Sequence, residues 1–146
     1  MTTTFQPKLN TQLAYGLLVT RLSIGLVFLV WALDKVLVPE HAMKVFAGFY
    51  GLTISSSVSI LLGALQTLFV LAFVVGYKKN ITYLSVLALH GISTFISFPK
   101  YLEPMSNLLF FAAWPMLAAC YLLYVLKDYD RFTLSSEKAT LSSTTA

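Results

Sequence analysis

Seven side chains stand inside or beside apolar runs of this sequence with the chemistry to hold a ligand: Arg21, Lys35, Gln66, His90, Asn107, Phe111 and Trp114. A charged or strongly hydrogen-bonding group in hydrocarbon is costly, and is by default a functional candidate. Arg21, Gln66 and His90 offer hydrogen-bond donors of the kind that stabilise carbonyl oxygens as they gain negative charge. Phe111 and Trp114 offer flat apolar faces that could wall a ring, and Lys35 and Asn107 fall toward one mouth of the same cleft. Such a set suits a largely apolar ligand that carries a few hydrogen-bond acceptors.

Other chemistries find less in the residues. Haem ligation by two histidines would need His41 and His90, one expected at the surface and the other near mid-depth. Cys120 is the single cysteine, so an internal thiol-disulfide relay is excluded, and Cys120 itself reads as a small buried hydrophobe. No His/Cys/Asp cluster has metal-ligand spacing, and no glycine-rich phosphate loop is present. Asp34 lies near the end of an apolar run, and Glu40, Glu103, Asp128 and Asp130 lie outside the runs, so no carboxylate is expected within the membrane.

The elements that must position these residues follow from composition. Of 146 residues 58% are hydrophobic and 11% charged, too apolar for a soluble domain of this length. Four runs approach the roughly 20 residues that a helical span requires: about 12–37, 56–76, 81–98 and 104–126. The expected fold is therefore all-α, a polytopic four-transmembrane-helix bundle over 12–134, preceded by a polar segment, 1–11, and followed by a disordered Ser/Thr-rich tail, 135–146. The opening residues lack the pattern of a cleaved signal peptide, so the first run is expected to persist. Between the first two runs, Ala42, Val45, Phe46 and Phe49 recur at helical spacing and predict a short amphipathic helix over about 39–50. It would lie at the membrane interface or fold inward as a lid, and periodicity leaves both open.

Each run carries one polar or small-residue stripe suited to an inward face. These are Arg21, Gly25, Phe28, Ala32 and Lys35; Ser59, Gly63, Gln66 and Thr67; Tyr83, His90, Ser93, Thr94 and Ser97; and Asn107, Trp114, Ala118 and Tyr121. The same residues admit plainer roles: Arg21 snorkelling to headgroups, Asp34 and Lys35 solvated at the outer interface, Gln66 holding helices together, and His90 bonded to a neighbouring helix. Pro115 is expected to kink the fourth span. An even number of spans places both termini on one side, with Lys8, Arg21, Lys78, Lys79, Lys127, Arg131 and Lys138; the positive-inside bias makes that side cytoplasmic, and in a bacterial host the location is the inner membrane. The net charge of +4 follows from this bias and does not point to nucleic acid.

The stretches "RLSIGLVFLVWALDK", "PEHAMKVFAGFYG", "LLGALQTLFVLAFVVGYKKNITYLSVLAL" and "NLLFFAAWPMLAACYLLYVLKDYDRFTL" together resemble the DoxX family of small four-span membrane proteins, over about 17–134. Arg21, Gly25, Phe28 and Lys35 match the family's first-span pattern, Gly63 and Gly76 bracket the second span, and "YDRFTL" is similar to the closing segment. Two departures stand out: Gln66 where the family commonly has a glutamate, and Asp34 beside Lys35 where a glycine is frequent. The resemblance implies a membrane subunit tied to redox chemistry, as in the small subunit of a thiosulfate:quinone oxidoreductase. The expected function is thus a quinone-facing or anchoring subunit of a membrane oxidoreductase complex, with a noncatalytic scaffold or assembly factor as the alternative. Beyond the lipid bilayer, the implied partner is a membrane or soluble redox protein supplying electrons, and a homo-oligomer is allowed.

Overall fold

The computed structural model describes residues 5–134 and is built of helices; the expected tail, 135–146, lies outside the described residues. Among the described residues six α-helices follow one another: α1 Phe5–Leu37, α2 Pro39–Tyr50, α3 Ser56–Val74, α4 Lys79–Ile96, α5 Phe98–Tyr101 and α6 Ala113–Val125. Short 3-10 segments lie at Pro104–Ser106, Leu108–Ala112 and Lys127–Tyr129. α1 starts before the predicted first span and carries residues 5–11 of the expected polar segment as a helical extension, residues 1–4 lying outside the described residues. Three helical stretches are long and apolar enough to cross a membrane: Lys8–Leu37, Ser56–Val74 and Leu108–Val125. α4 is not among them, because Asn80, Thr82, Ser85, His90, Ser93 and Thr94 dilute its apolar residues.

Local signals account for most boundaries. Pro39 sits in the first turn of α2, Glu40 complements the positive helix end, and the helix stops at left-handed Gly51, where Leu52 N–H bonds back to Phe46 O at 3.1 Å. Ser55 caps α3, its hydroxyl accepting from Val58 N–H at 3.4 Å. Pro99 stands in the first turn of the short helix α5. Pro115 does not kink a continuous helix: it lies in the first turn of α6, where a missing N–H is tolerated, and the preceding residues adopt 3-10 geometry. An α-helix running through this region would drive the proline ring against the Phe111 carbonyl, four residues back.

Hydrogen bonds between helices set their directions. Gln66 Nε2 donates to Phe28 O at 3.2 Å and Ser59 Oγ to Lys35 O at 2.9 Å, so α3 descends as α1 rises. His90 contacts Ala113 O at 3.0 Å and Lys79 Nζ donates to Lys127 O at 3.1 Å, so α4 and α6 are also antiparallel. Arg21 meets Tyr83, and Trp31 meets His90, which makes α4 parallel to α1. The course is up, down, up, down, with α1 packed mainly on α3 and α4 on α6.

The apolar core fills one end of this bundle with Leu17, Ile24, Phe28, Val70, Phe73, Tyr83, Val86, Cys120 and Leu123. The stripes expected on α1, α3 and α4 turn inward: Arg21, Phe28, Ala32, Ser59, Gly63, Tyr83, His90, Thr94 and Ser97 are buried, with Lys35, Gln66, Thr67 and Ser93 partly so. That of the fourth span does not. Trp114, Ala118 and Tyr121 are exposed, and α6 instead buries Cys120 and Leu123. The 3-10 segment turns each residue by 120° rather than 100°, so a count carried from Asn107 loses its phase before it reaches α6.

Gly63 lets α1 and α3 approach closely. A Cβ there would stand 2.8 Å from both Ala32 O and Lys35 Cβ. Gly63→Val is therefore expected to force the pair apart and destabilise the fold by about 1–3 kcal/mol, read as a lowered thermal midpoint in lipid or detergent.

Candidate functional site

The candidate residues fall into two separate places along the bundle. At the core end, Arg21 is buried to 1% exposure, and its Nη1 donates to Asp130 Oδ2 at 2.6 Å and to Tyr83 Oη at 3.0 Å. Tyr83 Oη in turn donates to Asp130 Oδ2 at 2.7 Å, and Arg21 Nη2 donates to the Phe132 carbonyl. Lys79 Nζ binds the carbonyls of Lys127 and Asp130 at 3.1 and 3.3 Å, and Leu134 N–H donates to Val75 O at 2.8 Å. The residues after α6 are thus folded back across the end of the bundle. They cross at Gly76, whose φ of +71° and close contact with Thr133 and Arg21 leave no room for a side chain.

Of the roles left open for Arg21, snorkelling to headgroups is not the one adopted: its charge is neutralised inside the protein. Asp130 lies after α6, outside the apolar runs as expected, and is fully buried there. The signal for it was indirect: an arginine on an inward stripe needs an acid, and Asp130 sits between the aromatic Tyr129 and Phe132, the latter packed on Tyr15 with ring centroids 5.0 Å apart.

The second place is a partly open cavity of about 710 Å³ at the other half of the bundle, bordered by α1, α2, α3, α4 and the 3-10 segment at Phe110. Its walls are largely aromatic and aliphatic: Phe28 and Trp31 from α1, Phe46 and Phe49 from α2, Leu62, Leu65 and Phe69 from α3, and Leu89, Ile92 and Ile96 from α4. Polar groups are few, with Gln66, Ser93 and Ser97 on the walls and Asp34, Lys35 and His41 at one end. Lys35 Nζ donates to Trp31 O at 3.1 Å, leaving two further donors on the ammonium.

Of the sequence candidates, Gln66 and Lys35 line this cavity. Gln66 also serves as helix glue, since one amide N–H holds the Phe28 carbonyl and the other is left for a further acceptor. His90 stands behind the wall, its ring stacked on Trp31 at 6.1 Å and edge-on to Phe28 at 6.3 Å. Its Nε2 lies on a carbonyl, which assigns the proton there and leaves buried Nδ1 an acceptor with no protein partner. Arg21 belongs to the other network. Phe111 and Trp114 also miss the cavity and join Tyr101 in an aromatic cluster, with centroids 5.3 and 5.6 Å from the Tyr101 ring. Phe110, one residue earlier, takes the wall position and stacks on Phe49 at 5.9 Å. Asn107 closes its own turn by donating to Glu103 O at 3.1 Å. Among the described residues no group of three or more His, Cys, Asp or Glu side chains is placed to hold a metal.

No family model, curated protein or solved structure matches this chain.

Removing one member of the Arg21–Asp130 pair strands a buried charge. Asp130→Ala is expected to cost about 3–5 kcal/mol, whereas Arg21→Met combined with Asp130→Leu recovers most of the loss. Unfolding of both variants in the same detergent checks this.

Proposed function

We propose that this protein is a DoxX-like, four-span integral membrane protein that holds a quinone in the cavity beside Trp31 and acts as the quinone-facing or anchoring subunit of a membrane oxidoreductase complex. The observation that carries this reading is the cavity: about 710 Å³, walled by rings and aliphatic chains, with a small number of donors at defined heights. Gln66 Nε2 bonds the Phe28 carbonyl and Lys35 Nζ the Trp31 carbonyl, so the two donors are anchored three residues apart on α1, a rise of about 4.5 Å. Each keeps a further N–H for an oxygen of a ring lying against Trp31, whose own ring is backed by His90.

The bound quinone would supply a two-electron acceptor. Gln66 and Lys35 would orient its carbonyls and stabilise the charge they gain, while the aromatic walls exclude water. With Cys120 as the one cysteine, the chain has no internal dithiol relay, so electrons would come from a partner protein.

The four-span reading rests on register. α4 lies beside α1 from the Arg21–Tyr83 level to the Trp31–His90 level, about 15 Å of α1, and turns Thr82, Tyr83, His90 and Thr94 inward. The end that holds Arg21 also carries Lys78, Lys79, Lys127 and Arg131, which supports cytoplasmic termini and, in a bacterial host, the inner membrane.

The test is extraction of the protein purified in native lipid, with quinone counted per chain by mass spectrometry against a helical membrane control of similar size. Enrichment above the control is expected, falling several-fold in Gln66→Leu and in Lys35→Met. Quinone at the level of the control would overturn the reading in favour of a noncatalytic scaffold, and the partner protein would become the object of the search.

A further inference from the structure

Helix α2 is joined to α1 through Val38 alone and to α3 through residues 51–55. It buries a single residue, Ala42, yet it contributes His41, Val45, Phe46, Phe49 and Tyr50 to the cavity lining. Its polar tie to α1 is a contact of 2.9 Å between His41 Nδ1 and Asp34 Oδ1, a pair whose side chains are 63% and 31% exposed and which stands at the charged end of the cavity. On the far side of the cavity, Phe49 rests on Phe110. A wall with so little burial and a short connection at each end is the part of the enclosure that costs least to displace.

We propose that α2 is a lid over the cavity, hinged at Val38 and at 51–55, and that the His41–Asp34 contact is its proton-sensitive latch. The regulatory meaning rests on the reading that the cavity holds a ligand; the motion does not. A protonated imidazole donates a charge-assisted hydrogen bond to the carboxylate, about twice as strong as the bond a neutral imidazole can make. Imidazoles change charge between about pH 5 and 8. Acid therefore holds the lid shut, and rising pH loosens it. The charged neighbours of the pair are Lys35 on α1, which competes for Asp34, and Glu40 and Lys44 on α2, which oppose each other in sign; α3 and the 3-10 segment at Phe110 carry no ionisable side chain. Both partners are partly exposed, so the latch shifts the opening equilibrium by about two- to fivefold rather than by orders of magnitude.

The experiment uses the full-length protein in lipid nanodiscs with Cys120→Ala as background. Ser93→Cys reports from the cavity wall, and exposed Ser106→Cys serves as a separate reference whose rate cancels the intrinsic pH dependence of thiol labelling. The ratio of the two labelling rates is expected to rise about two- to fivefold from about pH 5.5 to about pH 8.5. In His41→Gln it is expected to stay near the high-pH value throughout, and His41 is exposed enough for that variant to fold. A ratio flat in pH with the latch intact, or a His41→Gln profile identical to it, overturns the lid. Quinone counted in the same samples separates the two readings. A pH-dependent ratio without enriched quinone retains the lid and removes the quinone, and the reverse result removes the lid alone.

Discussion

A guanidinium placed among apolar side chains must be neutralised and hydrogen-bonded on the spot, and in this protein that requirement falls on Arg21. Its partners come from two distant parts of the chain: Tyr83 on α4, and the segment after α6, which supplies the Asp130 carboxylate and the Phe132 carbonyl. Satisfying one side chain therefore docks α4 against α1 and folds the segment beyond α6 across the end of the bundle. Gly76 yields the space for that crossing, and Lys79 fastens the same segment from a second side. The dense core lies immediately beneath.

With one end closed by charge and packing, the other is free to be hollow. There the interhelical bonds use side-chain hydroxyls and an amide on backbone carbonyls, Ser59 to Lys35 and Gln66 to Phe28, rather than buried ion pairs. Such bonds hold α1 against α3 without filling the space between α1, α3 and α4. The remaining side is covered by α2, which is held by one half-exposed polar contact and an aromatic stack. A neutralised end and a loosely walled, mostly apolar end is the contrast on which the proposed binding of a lipophilic ligand rests.

Much of the candidate site was legible one residue at a time and misread as a group. Inward stripes on α1, α3 and α4 follow from helical period alone, and of the residues read as a cleft and its outer mouth, Gln66 on α3 and Lys35 on α1 line the cavity. Arg21 was read into the same cleft, but it stands seven residues before Phe28, the level of Gln66, and those seven residues, about 10 Å, place it in a different network. Phe111 and Trp114 were lost to phase: the 3-10 turns before α6 rotate the chain so that Phe110 faces the cavity instead. Pro115 advertised an irregularity but not its form.

Hydrophobic content and period by themselves determined that this chain is helical, that several of its helices suit a membrane, that a short amphipathic helix follows the first, and which face of α1, α3 and α4 looks inward. Those are local properties, fixed by side chains within a few turns of one another. Only the tertiary structure decided which polar groups meet. That Asp130 answers Arg21 from 109 residues away, that His90 lies behind Trp31 rather than in the cavity, and that α2 lies over a hollow all depend on the mutual register of helices. Register is set by close packing at points such as Gly63 and by the need to satisfy buried charge, and neither leaves a periodic trace along the chain.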